Sequence, residues 1–144
     1  MSDFGRAVFD TSTLVSAALR LGSVPHRALQ QALLQAELCA SESTLDELDK
    51  VLMRAKFDRY LPRDVRREFV DLVRLASTLF AVSDSQVANV QPPCRDPKDH
   101  PFLALAQVCE AKVLVSSDAD LLILHPWQQV LIWTPAAFLE KLGA

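Results

Sequence analysis

Arg6-Ala7-Val8-Phe9-Asp10 indicates the architecture of this chain, because three apolar residues are followed at once by an acid. The apolar run is too short for a helix, so residues 6–10 are predicted to form a buried strand. A second apolar run, Val113-Leu114-Val115, is followed after two serines by Asp118. A buried carboxylate without a partner is costly or is neutralised, so folding alone explains these acids poorly. Both acids therefore indicate a binding site.

Strands and helices alternate outward from residues 6–10. Apolar runs predict further strands at 38–40, 79–82, 112–115 and 130–133. Helical spacing predicts helices at 13–20, 25–37, 43–56, from 61 onward, 99–109, 118–124 and 134–142, with a loop at 83–98. Apolar strands that alternate with helices form a parallel sheet covered on both faces. We therefore expect an α/β fold, a three-layer α/β/α sandwich with a central, mostly parallel sheet, as a single domain over residues 1–144.

The helical segments also predict a cap and two buried faces. Ser43 is expected to cap the helix over residues 43–56. In the helix that opens at Leu61-Pro62, the residues expected to face inward are Val65, Phe69, Leu72, Val73 and Ala76. Leu33 is expected to share a buried face with Ala28, Leu29 and Ala32.

Composition excludes several classes of protein. Three glycines are too few for a glycine-rich phosphate loop, and three scattered cysteines fit neither a zinc spacing nor a disulfide framework. No segment approaches the roughly 20 apolar residues of a membrane span. A net charge of −3 argues against a protein that coats nucleic acid. The chain is expected to be soluble and cytoplasmic, without a membrane partner.

Eight of the fifteen basic residues lie between Lys50 and Arg74, interleaved with acids. This stretch has two interpretations: a salt-bridged, exposed helix face or a nucleic-acid contact. By itself it decides for neither.

Further acids are placed where they can join Asp10 and Asp118. Right-handed crossovers put the carboxyl ends of parallel strands on one edge of the sheet, where open α/β folds bind ligands. Glu47 lies in an amphipathic segment, and Asp96 and Asp99 precede an apolar helical one. Carboxylate oxygens are the ligands that Mg²⁺ and Mn²⁺ prefer. The sequence therefore predicts a divalent-metal site.

Each acid also has an ordinary structural interpretation. Asp10 could cap the following helix, Glu47 could be a solvated helix residue, and Asp99 could favour a helix N-terminus electrostatically. Asp96 could pair with Arg95 or begin a turn, and Asp118 and Asp120 could be turn residues. Jointly these interpretations are weaker, because they must hold independently at four ordered places.

The motifs also resemble a known family. They are Val8-Phe9-Asp10-Thr11-Ser12, Glu47 within Ser43-Thr44-Leu45-Asp46-Glu47-Leu48, Arg95-Asp96-Pro97-Lys98-Asp99 before Phe102-Leu103-Ala104-Leu105-Ala106, and Ser116-Ser117-Asp118-Ala119-Asp120-Leu121-Leu122. In this order and spacing, from about Ala7 to Leu142, they are similar to PIN domains. Within that family they most resemble the prokaryotic branch of toxin components of toxin–antitoxin systems.

The resemblance implies a metal-dependent ribonuclease that cleaves single-stranded RNA, with a small antitoxin protein as its partner. The acids that it implies as catalytic Mg²⁺ or Mn²⁺ ligands are Asp10, Glu47, Asp99 and Asp118, with Asp96 and Asp120 as auxiliary acids. Thr11, Ser12 and Ser116 would orient the metal-ligating carboxylates through hydrogen bonds. Ser12 stands where the family commonly has Asn, and Ser116 where it usually has Thr; both keep a polar group. Arg95 and Lys98 are candidate RNA contacts, and a homodimer is expected.

Three other classes of protein share part of this pattern. A phosphatase of the haloacid-dehalogenase type needs a second Asp two positions after the first, where this chain has Ser12. A receiver-like phosphoacceptor needs two adjacent early acids and a late lysine, neither of which is evident. An inactive PIN-like module that binds RNA or protein is the remaining alternative, against which the four principal acids count.

Overall fold

The computed structural model describes residues 4–143, and within them a five-stranded sheet forms the centre of the fold. The strands are β1 (Arg6–Phe9), β2 (Glu37–Ala40), β3 (Thr78–Leu79), β4 (Val113–Val115) and β5 (Leu131–Trp133). Their order across the sheet is β3-β2-β1-β4-β5, and each neighbouring pair is parallel. The predicted α/β fold with a parallel sheet is confirmed.

Helices cover both faces of this sheet. They are α1 (Thr11–Leu19), α2 (Val24–Gln35), α3 (Glu42–Leu52), α4 (Arg63–Ala76), α5 (Asp84–Ala88), α6 (His100–Val108), α7 (Ala119–Leu122) and α8 (Pro135–Lys141), with short 3-10 turns at Ala55–Phe57 and Pro97–Asp99. Ala7 and Phe9 of β1 belong to one buried cluster, and Val8 belongs to another. Since successive strand residues point to opposite faces, the two clusters lie between the sheet and the helices on its two sides, as in a three-layer sandwich.

The cap of α3 differs from the prediction. Ser41, and not Ser43, caps this helix: the Ser41 hydroxyl accepts a hydrogen bond from the Thr44 amide at 3.2 Å. The Thr44 hydroxyl in turn accepts one from the Ser41 amide at 3.0 Å, which completes a capping box. The prediction was wrong because β2 ends at Ala40, so the first residue free to cap is Ser41.

Two other predicted elements are also corrected. Residues 83–98 were expected to be a loop, yet they contain α5 and the 3-10 turn Pro97–Asp99. A helix of five residues is too short for helical periodicity to reveal it. The strand expected at 79–82 is only Thr78–Leu79, because residues beyond it leave the sheet after the Phe80 amide has bonded to Ala40.

The buried face of α4 was predicted only in part. Val73 is buried and Phe69 is partly buried, as expected, but Val65, Leu72 and Ala76 are exposed. Val70, which was not predicted, is buried. On α2, Leu33 is likewise exposed while Ala28, Leu29 and Ala32 are buried. In α4 the inward stripe is rotated because it includes Arg66, whose side chain is completely buried. A periodicity that counts only apolar residues cannot include an arginine.

The register of the two central strands positions the site. Phe9 of β1 pairs with Val115 of β4, so Asp10 and Ser116 leave the sheet side by side. The Asp10 amide continues the ladder by donating to the Val115 carbonyl at 3.2 Å. Within residues 4–143, no helix combines the length and the apolar character that crossing a membrane requires.

Candidate active site

A pocket of about 450 Å³ opens at the carboxyl edge of the sheet, beside the ends of β1 and β4. The acids that line it are Asp10, Glu47, Asp96, Asp99 and Asp118. All four residues predicted as principal ligands therefore reach one pocket, although they are spread over more than a hundred positions of sequence. This is the arrangement that right-handed parallel crossovers favour.

Asp10 is the most constrained of these acids. It is the N-cap of α1, and its Oδ1 accepts hydrogen bonds from the Thr13 amide at 3.0 Å and the Ser12 hydroxyl at 3.4 Å. Its Oδ2 accepts one from the Ser116 hydroxyl at 2.5 Å. Burial raises the pKa of the Asp10 carboxyl above its usual range, although these bonds oppose the shift. The helix-cap interpretation is thus true of this residue, and the same residue lines the pocket.

Asp99 and Asp118 form the second acidic group of the pocket. Asp99 ends the 3-10 turn before α6 and is buried. Burial, followed by the hydrogen bond and the negative charge of neighbouring Asp118, raises the pKa of Asp99 to about 7. The Cys94 thiol donates to Asp99 Oδ2 at 3.6 Å and opposes this shift. Two carboxylates this close are costly when both are charged, and a cation between them would remove that cost.

Asp118 is held by its own backbone neighbours. It caps α7, and its Oδ1 accepts a hydrogen bond from the Asp120 amide at 2.9 Å. The Asp118 amide donates to the Ser116 hydroxyl at 2.9 Å. Ser116 therefore joins the two acids at the sheet edge, donating to Asp10 and accepting from Asp118.

The remaining predicted residues separate into two groups. Glu47 projects from α3 into the pocket and is half-buried, and Thr11 and Ser12 also line it. Lys98 lines the pocket beside Asp96, which caps the 3-10 turn by accepting from the Lys98 amide at 3.0 Å. Asp120 and Arg95 are not among the residues that line it. The structure thus brings Lys98 to the site and leaves Arg95 and Asp120 outside.

The pocket residues are chemically suited to a hard divalent cation. Their donors are carboxylate and hydroxyl oxygens, which Mg²⁺ and Mn²⁺ prefer. Thr11 lines the pocket, and its buried hydroxyl has no hydrogen-bond partner among residues 4–143. Among residues 4–143, no three His, Cys, Asp or Glu side chains form a complete ligand group.

Sequence reasoning missed several residues of the pocket. Arg54, Lys56 and Phe57, from the turn after α3, form part of its lining, as does the apolar side chain of Leu19. Arg54 and Lys56 belong to the basic stretch whose role the sequence left open. Cys94 does not line the pocket, but its bond to Asp99 was also missed; its only signal was that it directly precedes the Arg95–Asp99 motif.

Comparisons with known proteins agree with this fold. A family model described as PIN domain matches residues 6–120, well over half of the chain. A search of the curated proteins finds no match. The structure is similar to PAE2754 from Pyrobaculum aerophilum, with a TM-score of 0.66 and 14% identity over 99% of this chain and 92% of the other. It is also similar to VapBC2 from Rickettsia felis, solved bound to a DNA fragment from their promoter, with a TM-score of 0.62 and 12% identity over 89% of this chain and 98% of the other. At these identities the likeness is one of fold.

Proposed function

Since this chain belongs to the PIN-domain family, we propose that it is a Mg²⁺- or Mn²⁺-dependent endoribonuclease that cleaves single-stranded RNA. PIN domains are generally nucleases. The observation that carries the proposal is the convergence of Asp10, Asp99 and Asp118 in one pocket at the carboxyl edge of the sheet. Such a group is costly to fold without a ligand, because burial raises the pKa of Asp10, and burial together with neighbouring Asp118 raises the pKa of Asp99.

The four principal acids would hold the metal. Asp10 and Asp99 are assigned as the core ligands, Asp118 completes the site, and Glu47 acts through water from the facing helix α3. When bound, the ion supplies neutralisation of charge on the phosphate oxygens and lowers the pKa of a bound water. Asp96 is an auxiliary acid at the rim.

The chain's own groups orient this site. Ser116 and Ser12 direct both oxygens of the Asp10 carboxylate by hydrogen bonds, while the Thr11 hydroxyl offers a free polar atom to a water. Lys98 provides a cation for an incoming phosphate, which negative side chains alone would repel. The acids and the cation together accommodate a phosphodiester.

The test is cleavage of a fluorescent single-stranded RNA in the presence of Mg²⁺, Mn²⁺ or EDTA. Wild type should cleave only with metal, and Asp10→Asn should not cleave. Asp46→Asn is the matched control, because Asp46 is an exposed acid of α3 that does not line the pocket. Mn²⁺ should also raise the melting temperature of the wild type and of the control, and raise that of Asp10→Asn less.

A second candidate is an inactive PIN-like module that binds RNA or protein. The observation that favours it is the absence of a complete three-residue ligand group within residues 4–143. Absence of both cleavage and a Mn²⁺-dependent melting shift in the wild type would select this candidate over the nuclease.

We also infer that the chain is the toxin of a toxin–antitoxin module, with a small antitoxin protein that blocks the pocket. The similarity of fold to VapBC2 supports this inference. Induced expression of the wild type should arrest bacterial growth, and Asp10→Asn should not. Growth that is unaffected by wild type accumulating to the same level as the mutant would refute the toxin assignment.

A homodimer is part of the same proposal. Leu72 and Leu75 of α4 are 63% and 84% exposed, and burying such side chains would stabilise an interface. Light scattering should give the mass of two chains, and Leu72→Asp with Leu75→Asp should reduce it to one. A wild-type mass of one chain at micromolar concentration would exclude the dimer.

A further inference from the structure

The turn between α3 and α4 forms a cationic wall of the acidic pocket. Arg54 and Lys56 both line the pocket and both are exposed. Phe57, at the end of the 3-10 turn, lines it as well and is partly buried against the core. Positive side chains therefore lie beside the carboxylates that line the same pocket.

The basic residues from Lys50 to Arg74 do not share one role in the structure. Arg67 pairs with Asp49, and Arg74 pairs with Glu42 at 2.9 Å. These pairs agree with one of the two interpretations of this stretch, a salt-bridged and exposed helix face. Neither Arg54 nor Lys56 takes part in an ion pair with any residue in the range 4–143. Their charges are therefore available to a ligand.

Arg66 holds the cationic wall in its position. Its guanidinium is completely buried and donates to the carbonyls of Leu52 at 2.9 Å, Leu61 at 2.9 Å and Arg54 at 3.2 Å. It also pairs with Asp58. Burying a charge is costly unless it is paired and fully hydrogen-bonded, and here each bond is made to the turn or to one of its ends. The backbone that carries Arg54 and Lys56 is thus tied to α4.

The pocket has an acidic region and a basic region, and its ligand must suit both. The acids suit a phosphate only where a metal ion mediates, whereas Arg54 and Lys56 suit a phosphate directly. A ligand that satisfies both regions carries several phosphates in a row. A phosphodiester chain does so, and a single phosphate group does not.

We propose that Arg54 and Lys56 bind the backbone phosphates that flank the cleaved bond of a single-stranded nucleic acid, with Arg66 as the residue that positions them. The inference rests on the proposed nuclease function and adds the path of the nucleic-acid strand. That strand runs from the carboxylates at the sheet edge across the turn at Ala55–Phe57. Contacts to backbone phosphates position a strand without reading its sequence.

The test measures the salt dependence of binding for a fluorescent oligouridylate by anisotropy, in EDTA so that no cleavage intervenes. Each phosphate contact to a single strand contributes about 0.7 to the slope of log K against log salt. Arg54→Gln and Lys56→Gln should each reduce the slope by about that amount, and the double variant by about 1.4. Lys50→Gln, an exposed lysine of α3 outside the pocket, should leave it unchanged. An oligothymidylate of the same length should show the same reductions, because its phosphates carry the same charge although its sugars lack the 2′-hydroxyl.

Unchanged slopes in both pocket variants, with a wild type that binds the oligonucleotide, would overturn the inference. Wild-type RNA cleavage in Mg²⁺ would then leave the nuclease proposal intact. Reduced slopes in the two variants, together with a wild type that never cleaves RNA, would support the phosphate contacts and contradict the nuclease proposal. A loss of affinity for polyglutamate without any change for nucleic acid would overturn the inference in favour of an acidic protein ligand.

Discussion

The Ser116 hydroxyl lies 2.5 Å from Asp10 Oδ2 and donates a hydrogen bond to it, across 106 positions of sequence. The contact follows from the parallel pairing of β1 with β4, in which Phe9 is opposite Val115. Ser116 is completely buried, so this bond is not exchanged with solvent. It directs one oxygen of Asp10 and lowers the cost of keeping that carboxylate charged.

Replacing Ser116 with Ala should weaken metal binding. The substitution removes a hydrogen bond that lowers the pKa of Asp10, so the pKa rises further and a metal ion must displace a more tightly held proton. Loss of such a supporting group typically costs about 10- to 100-fold in metal affinity or activity. Titration with Mn²⁺ at constant pH measures this. Ser117→Ala, at the exposed neighbouring position, should bind as the wild type does, and equal affinities for all three proteins would contradict the role of Ser116.

Metal-free stability should depend on pH through Asp99. Its pKa is about 7 in the folded protein and about 4 in an unfolded chain, so folding favours the protonated form. The contribution of this group to stability is therefore complete below about pH 4 and is lost as the pH rises to about 7. Asp99→Asn should remove this dependence and leave the metal-free fold at least as stable as the wild type at pH 8. Urea unfolding in EDTA across this range, compared between the two proteins, measures it; a wild-type-minus-variant difference that does not change with pH would refute the assignment.

Removing the Arg66 guanidinium should destabilise the fold much more than removing a surface arginine. Arg66→Met leaves three backbone carbonyls without their donor, and a loss of about 3 kcal/mol is expected. Arg67→Met on the same helix breaks only an exposed pair with Asp49 and should cost less than about 1 kcal/mol. Denaturant unfolding of both variants gives the comparison. Equal losses would mean that the turn after α3 does not depend on the buried cation.

The corrected cap of α3 makes its own prediction. Ser41→Ala removes the hydroxyl that accepts from the Thr44 amide, which is one half of the capping box, so it should cost about 1 kcal/mol. Ser43→Ala, at an exposed position inside the helix, should be close to neutral. Thermal unfolding distinguishes the two, and the opposite order would restore Ser43 as the cap.

Local pattern was enough to predict most of the architecture. Short apolar runs identified the central strands β1 and β4, and the alternation with helices predicted the parallel sheet that the structure has. Failures occurred where an element was too short to show a period, as in α5, or where an apolar run extended beyond the strand, as in β3. The stripe of α4 failed for a different reason, since it includes a buried arginine.

For two acids of the pocket, their position just after a strand was enough to predict that they lie close together. Asp10 and Asp118 each follow a buried parallel strand, and the topology of such strands brings their carboxyl ends together whatever the remaining side chains are. Glu47 and Asp99 follow no strand directly, so their convergence with these two acids was predicted from the order and spacing of the motifs. Arg54 and Lys56 could not be assigned in that way, because their orientation depends on where α4 packs and on the carbonyls that Arg66 holds. The partners of a positive side chain are set by contacts between segments far apart in the chain. Only the tertiary structure therefore decides which positive side chains form salt bridges and which can bind a ligand.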